Sequence, residues 1–214
     1  MMPSFLITLS ILVSVAATNL PASITHVLGD MQFSLANRYP VQSVSDIFSD
    51  NILLTLAYMR GIVKDNKPDW NAVKSPFTYS FVLQPGEVFA FHDSVLPEFS
   101  GKVVKTTNAH FGSQEGFKSD GWLVADGVCH LASLINEAAA HAGLKVVAPT
   151  NHDFAVIPEI PKEYGTAIYY MPGSDTENAQ QNLYVQNTKD KPVTITFDYK
   201  DNELTVEVTQ IEVN

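Results

Sequence analysis

The 214-residue sequence predicts a single α+β domain, an antiparallel sheet packed with a central helix that starts at the lone cysteine. Three observations carry that prediction. The chain closes on threonine-rich, alternating segments at 193–199 and 204–213, the pattern of twisted antiparallel strands with one face on a core. Between 124 and 144 the period changes, and Leu131, Leu134, Ile135, Ala138 and Ala142 recur at helical spacing along one face. The 45% hydrophobic content is enough for one sizeable core rather than two.

In chain order, Phe5 to Ala17 is an apolar run ending in small residues. It reads as a secretory signal with cleavage near Ala17, or as an uncleaved anchor within residues 1–28. At this length it is short for a membrane span, which needs about 20 apolar residues. Residues 29–45 have no sustained period and read as a lead-in linker to a domain over 46–214. Ser49-Asp50-Asn51 looks like a helix cap ahead of Ile52, Leu53, Leu56, Ala57 and Met59, with Gly61 as the stop. Phe77 to Leu83 alternates as a strand, Gln84-Pro85-Gly86-Glu87 is a turn, and Val88 to Phe91 is a second strand. From His92 to Gly121 the chain is polar and glycine-dotted, as a lid or cleft wall would be. Strands follow at 144–148, 166–170 and 182–186, and Lys200-Asp201-Asn202-Glu203 joins the last two strands as a hairpin.

Thirteen basic against 23 acidic residues give a formal charge of -10. Nucleic acid is therefore not an expected partner, because phosphate binding needs a basic face. Loose electrostatic attachment to anionic lipid is disfavoured for the same reason, leaving the N-terminal run as the expected link to a membrane. One cysteine excludes an internal disulfide framework and a multi-cysteine zinc site.

Several blocks, in order, resemble the VanW family of bacterial envelope proteins. Pro85-Gly86-Glu87-Val88-Phe89-Ala90-Phe91-His92 is similar to the family's "PGE-x-F-S-F-N", and Asp126-Gly127-Val128-Cys129-His130 to its "G-G-G-[IV]-C-Q" before a matching helix. Asn151-His152-Asp153 lies where the family carries an "HS" pair. Asn182 to Asn187 and Pro192 to Ile195 resemble its closing strands, and Asn51 to Leu54 its "N-I-x-L-A" helix. His130, Ala132, Asp126 and His92 depart from the family's usual residues, as a distant member would. The family is named for its place in glycopeptide-resistance gene clusters. The resemblance therefore implies an envelope location and a peptidoglycan-related partner.

The candidate chemistry centres on Cys129 in the first turn of the predicted helix, where free N–H groups and the helix dipole favour a thiolate. In a hydrolase or acyl transferase, Cys129 would be the nucleophile and His152 the base, with Asp126, Asn151 or Asn187 open as the orienting group. Two features count against this. Asp126 places a negative charge near the thiol, and free cysteine is also among the most buried residue types. His130 is a weaker base candidate, because neighbours on a helix diverge by about 100°. The alternative is a non-catalytic wall-binding module. There Phe89, Phe91, His92, Trp122 and His152, with His130 and Asp153 nearby, would hold a glycan or stem peptide. The ordinary structural reading of those aromatics is core. His92, Cys129 and His152 could in principle ligate zinc, but their spacing fits no known finger. No metal and no cofactor are expected.

Overall fold

The computed structural model describes residues 23–213, and the predicted signal or anchor over 5–17 lies outside them. Two four-stranded sheets organise the chain. The first has the order β1-β8-β7-β2 and is antiparallel throughout: β1 (Ser23–Ser34), β2 (Phe77–Leu83), β7 (Val193–Lys200) and β8 (Glu203–Val213). The second has the order β4-β3-β6-β5: β3 (Val88–Ala90), β4 (Val103–Lys105), β5 (Lys145–Val147) and β6 (Tyr184–Gln186). Only the β3/β4 pair in it is parallel. The helices are α1 (Gln42–Met59), α2 (Trp70–Lys74), α3 (Val128–His141) and α4 (Asp175–Gln180). The architecture is α+β, as the sequence predicts.

The period-2 segments fold for the expected reason. In β7, Val193, Ile195, Phe197 and Tyr199 are buried while Asp198 and Lys200 face solvent. The β7/β8 hairpin turns on Asp201 and Asn202 at φ 54 and 63, the two positive values of a type I′ turn matched to strand twist. Gly86 at φ 85 follows Pro85 in the turn before β3, closed by the Glu87 N–H to the Gln84 carbonyl at 3.0 Å.

Helix α3 lies at the centre, against β1, β8, β5 and α1. Leu131, Leu134, Ile135 and Ala138 are all buried, joining Phe33, Leu56, Phe89, Val185 and Val206 in one core cluster. Cys129 is in the first turn of α3, and the helix stops ahead of Gly143 at φ 67.

Four local expectations change. Residues 23–34, read as part of a signal and lead-in, form β1. A bulge between Val27 and Gly29 shifts its alternation and hides the period. Gly29 sits against α3 so closely that a Cβ would lie 2.6 Å from the Ala142 nitrogen. Helix α1 starts at Gln42, not at Ile52, so Ser49-Asp50-Asn51 lies within it. Asp50 and Asn51 are buried there and bond to other segments rather than capping. Residues 166–170 are extended but belong to no sheet: Ala167, Ile168 and Tyr169 donate to Thr150, Cys129 and Gln181 respectively. The 92–121 stretch is packed rather than lid-like. It contributes β4, and Phe99, Thr107, Ala109, Phe111, Glu115 and Phe117 are buried.

Candidate functional site

Around the first turn of α3, the chain enters through Ala125 at φ 68 and Gly127 at φ 96. Gly127 is the N-cap and makes no side-chain capping bond. Cys129 exchanges two contacts with one extended residue: its Sγ accepts from the Ile168 N–H at 3.3 Å and donates to the Ile168 carbonyl at 3.7 Å. Loss of solvent around the sulfur pushes the thiol up to about 11. The Ile168 N–H works in the opposite direction, and Asp126 adds to the rise. Burial therefore outweighs the helix-terminus field that favours a thiolate. The thiol acts as a clasp between α3 and residues 166–170.

Asp126 sits beside a second carboxyl. Burial first, then the charge of Asp120 and a hydrogen bond to it, push Asp126 up to about 6. Asp120 is held by the Trp122 N–H at 2.8 Å and the Leu123 N–H at 3.1 Å. An Asx turn thus shapes the hairpin that carries Trp122, 92% exposed, into α3. Because the folded-state pKa of Asp126 lies above its ordinary 3.8, the unfolded chain releases the proton first as pH rises. Stability falls between about pH 4 and 6, and the full cost stands above that window. Asp126→Asn is expected to raise the melting temperature at pH 7.5 by about 2–4 °C, on the order of 1 kcal/mol after allowance for solvent screening. The gain should vanish below about pH 4. A loss of stability at pH 7.5 would show instead that the ionised carboxylate is needed.

His130 and His152 meet one turn further along, with ring centroids 6.3 Å apart in a T-shaped arrangement. His130 is pushed down to about 3 by burial, then by Arg38 and His152; His152 is also pushed down, chiefly by burial. Both are neutral imidazoles near neutral pH, and the Nδ1 of each is buried without a partner among the described residues. His152 packs on Phe154 at 4.0 Å. With Asp153 it lines a cavity of about 210 Å³ bounded by residues 152–157, 160–162 and 165. The loop that supplies Ile157 and Ile160 is anchored between those two residues: the Arg38 guanidinium, fully buried, donates to the Pro158 carbonyl at 3.3 Å and to Glu159 at 2.6 Å.

The candidate residues thus divide into groups. His152 and Asp153 line the cavity, and His130 packs behind them against the His152 ring without lining it. Cys129 is bonded to Ile168, and Asp126 is paired with Asp120; among the described residues the thiol makes no hydrogen bond to His152. Phe89, Phe91 and His92 are fully buried. The His92 Nε2–H donates to the Gln181 carbonyl at 3.1 Å, which makes it part of the packing between β3 and α4. Trp122 stands in solvent at a hairpin tip.

A further polar constellation escaped the sequence reading. His110 faces Asp93 through Nε2 at 3.1 Å and the buried Glu115 through Nδ1 at 3.2 Å, with the Tyr170 ring 4.4 Å away. Glu115 also accepts from the N–H groups of His110 and Gly112. The spacing carries no recognisable motif, and the bends that create the cluster, Asn108 at φ 60 and Phe111 at φ 62, fall on residues without a glycine signal. Among the described residues, no group of three or more His, Cys, Asp or Glu side chains is placed to hold a metal. No helix among them is long and apolar enough to cross a membrane.

Comparison with curated proteins and with solved structures returns no match. A family profile described as "VanW like protein" matches residues 78–209, from β2 into β8, of which it takes in the first seven residues. The match takes in the Pro85–His92 turn and strand, the Asp126–His130 entry to α3 and the closing strands; Asn51–Leu54 on α1 falls outside it. Covering more than half of the chain, it shows that this protein belongs to the VanW-like family.

Proposed function

We propose that this chain is an extracytoplasmic module that binds a peptidoglycan fragment without cleaving it. The observation that carries the reading is the cavity at His152, flanked by apolar side chains left in solvent: Phe154 is 75% and Val156 90% exposed. Large apolar groups held at the rim of a concave site are recognition surface, since folding alone gains nothing from exposing them. The neighbouring thiol suits this role better than catalysis. A nucleophile needs a thiolate and a base within reach, whereas Cys129 is pushed to about 11 and bonded to backbone. The peptidoglycan assignment is supported by the family's place in glycopeptide-resistance clusters, and the outside location by the apolar run over 5–17. Cleavage near Ala17 would leave β1, which begins at Ser23, whole.

The test is to titrate a soluble disaccharide–peptide fragment while following its integrity by mass spectrometry. Saturable binding is expected, with no product and no change in affinity for Cys129→Ser. Alkylation of the thiol at pH 8 should run about tenfold slower than that of free cysteine, because a lower thiolate fraction is only partly offset by higher intrinsic reactivity. Product formation that disappears in Cys129→Ser would instead establish a hydrolase or acyl transferase.

A further inference from the structure

We infer that the His152 cavity is a side-chain pocket for an apolar residue of a peptide, so that the stem peptide and not the sugar backbone is what this module reads. The inference rests on the binding role proposed above and assigns its ligand class. The lining is the first ground. The cavity of about 210 Å³ has room for an aliphatic side chain, and its walls are supplied by Phe154, Val156, Ile157, Ile160 and Pro161. A sugar ring carries hydroxyls around its edge. Against such walls each hydroxyl would lose its water without gaining a partner, at a cost of about 1–3 kcal/mol each. A methyl or isopropyl group loses nothing there and gains by burial.

Polar groups supply the second ground. Asp153 and Lys162 line the same cavity and are both exposed, placing one negative and one positive charge at its edge. That pairing complements a peptide, whose ammonium and carboxylate groups carry both signs, whereas an uncharged sugar could use it for hydrogen bonds alone. His152 lines the same cavity as a neutral ring, 93% buried; its Nδ1 is itself out of reach of solvent, so the ring offers a ligand its surface and not that nitrogen.

The third ground is that the pocket is preformed. Asn151 Nδ2 donates to the Lys162 carbonyl at 3.1 Å, tying the two ends of the loop. Gly165 presses so close that a Cβ would lie 2.8 Å from the His152 carbonyl oxygen. Arg38, buried under Phe33 at 4.1 Å, holds Pro158 and Glu159 from below. Little ordering entropy remains to be lost on binding.

Three probes separate the possibilities: the soluble disaccharide–peptide fragment, the same disaccharide without peptide, and the free stem peptide. The free peptide is expected to bind within about threefold of the whole fragment and the disaccharide not at all. Ile160→Phe, which fills the pocket, should weaken peptide binding at least tenfold. Phe154→Ser alters a side chain already in solvent and keeps the test valid if Ile160→Phe fails to fold; it should weaken binding at least threefold with an unchanged melting temperature. Binding of the disaccharide as tightly as the whole fragment, with none of the free peptide, would overturn the pocket assignment and leave the wall-binding role intact. Binding of no probe would remove the role itself.

Discussion

Gly127→Ala is expected to destabilise the protein by about 2–5 kcal/mol, seen as a lower urea midpoint with an unchanged slope. Two costs add. Residue 127 has φ 96, where an L side chain costs about 1–2 kcal/mol. The new Cβ would also lie 2.6 Å from the Phe48 carbonyl oxygen and 2.9 Å from its Cα. Those are backbone atoms of α1, which cannot swing aside as the end of a flexible side chain could. Relief requires α1 and α3 to separate, and both helices contribute fully buried residues to the core, Leu53 and Leu56 from one and Leu131 and Leu134 from the other. Overpacking of that kind costs about 1–3 kcal/mol. Gly121 supplies the control, with a similar φ of 105 and nothing within 4 Å of its would-be Cβ. Gly121→Ala should carry the conformational cost alone. Equal losses in the two variants would show that the approach of α1 to α3 is not what demands glycine at 127.

The contrast between these glycines marks what was legible in the chain. A glycine before Val128 and Cys129 is readable as the entry to a helix, and so is the helix itself, because its apolar face is written at a regular spacing. The strands β2, β7 and β8 are readable for the same reason, since one face of each meets the core and period 2 survives in the residue order. β1 escaped because its bulge breaks that period. The first half of α1 escaped because it is only partly covered: Gln42, Ser43 and Asp46 face solvent while Ser45 is buried. What no spacing could convey is which partner a polar residue finds. Cys129 at a helix start suggests a thiolate, yet the outcome is decided by Ile168, 39 residues on. His152 was singled out beside an apolar stretch, but the loop that walls its cavity is tied down by an Arg38–Glu159 pair, one residue from the supposed linker and one at φ 69 in an irregular loop.

The same limit applies to the asparagines that hold the irregular segments together. Asn178 closes a two-bond loop with Met171, both at 2.8 Å, and Asn187 donates to the Leu83 and Lys191 carbonyls at 2.9 Å. Asn182, fully buried, accepts from the His92 N–H and donates to the carbonyls of His92 and Ser94. Asn178 and Asn182 match both the donor and the acceptor of another segment's backbone, as a neighbouring strand would, and Asn187 ties a distant carbonyl to a local turn. In sequence such a residue looks like a turn former.

Asn51→Leu is expected to be the most damaging substitution of this group, at about 3–5 kcal/mol. Asn51 is fully buried in α1. Its Oδ1 accepts from the Lys118 N–H at 2.8 Å, and its Nδ2 donates to the carbonyls of Lys118 and Asp126 at 3.1 and 3.0 Å. Leucine has nearly the same shape and fills the space, so the packing loss is small. Two backbone groups, however, the Lys118 N–H and the Asp126 carbonyl, lose this partner at once, and the Lys118 carbonyl keeps only the Ala125 N–H; a buried unsatisfied group costs about 1–3 kcal/mol. The upper end of the sum is not reached because the 118–126 hairpin is partly exposed and can admit water. That relaxation gives a second readout. The Ala125 N–H, bonded to the Lys118 carbonyl at 2.9 Å, should exchange with solvent much faster in the variant, whereas amides in the middle of β7 should change only as far as global stability falls. Loosening the hairpin also frees Asp120, so the Trp122 tip should lose its fixed direction. Midpoints within about 1 kcal/mol, with equal exchange at Ala125, would mean that Asn51 fills space in the core and does not clamp the entry to α3.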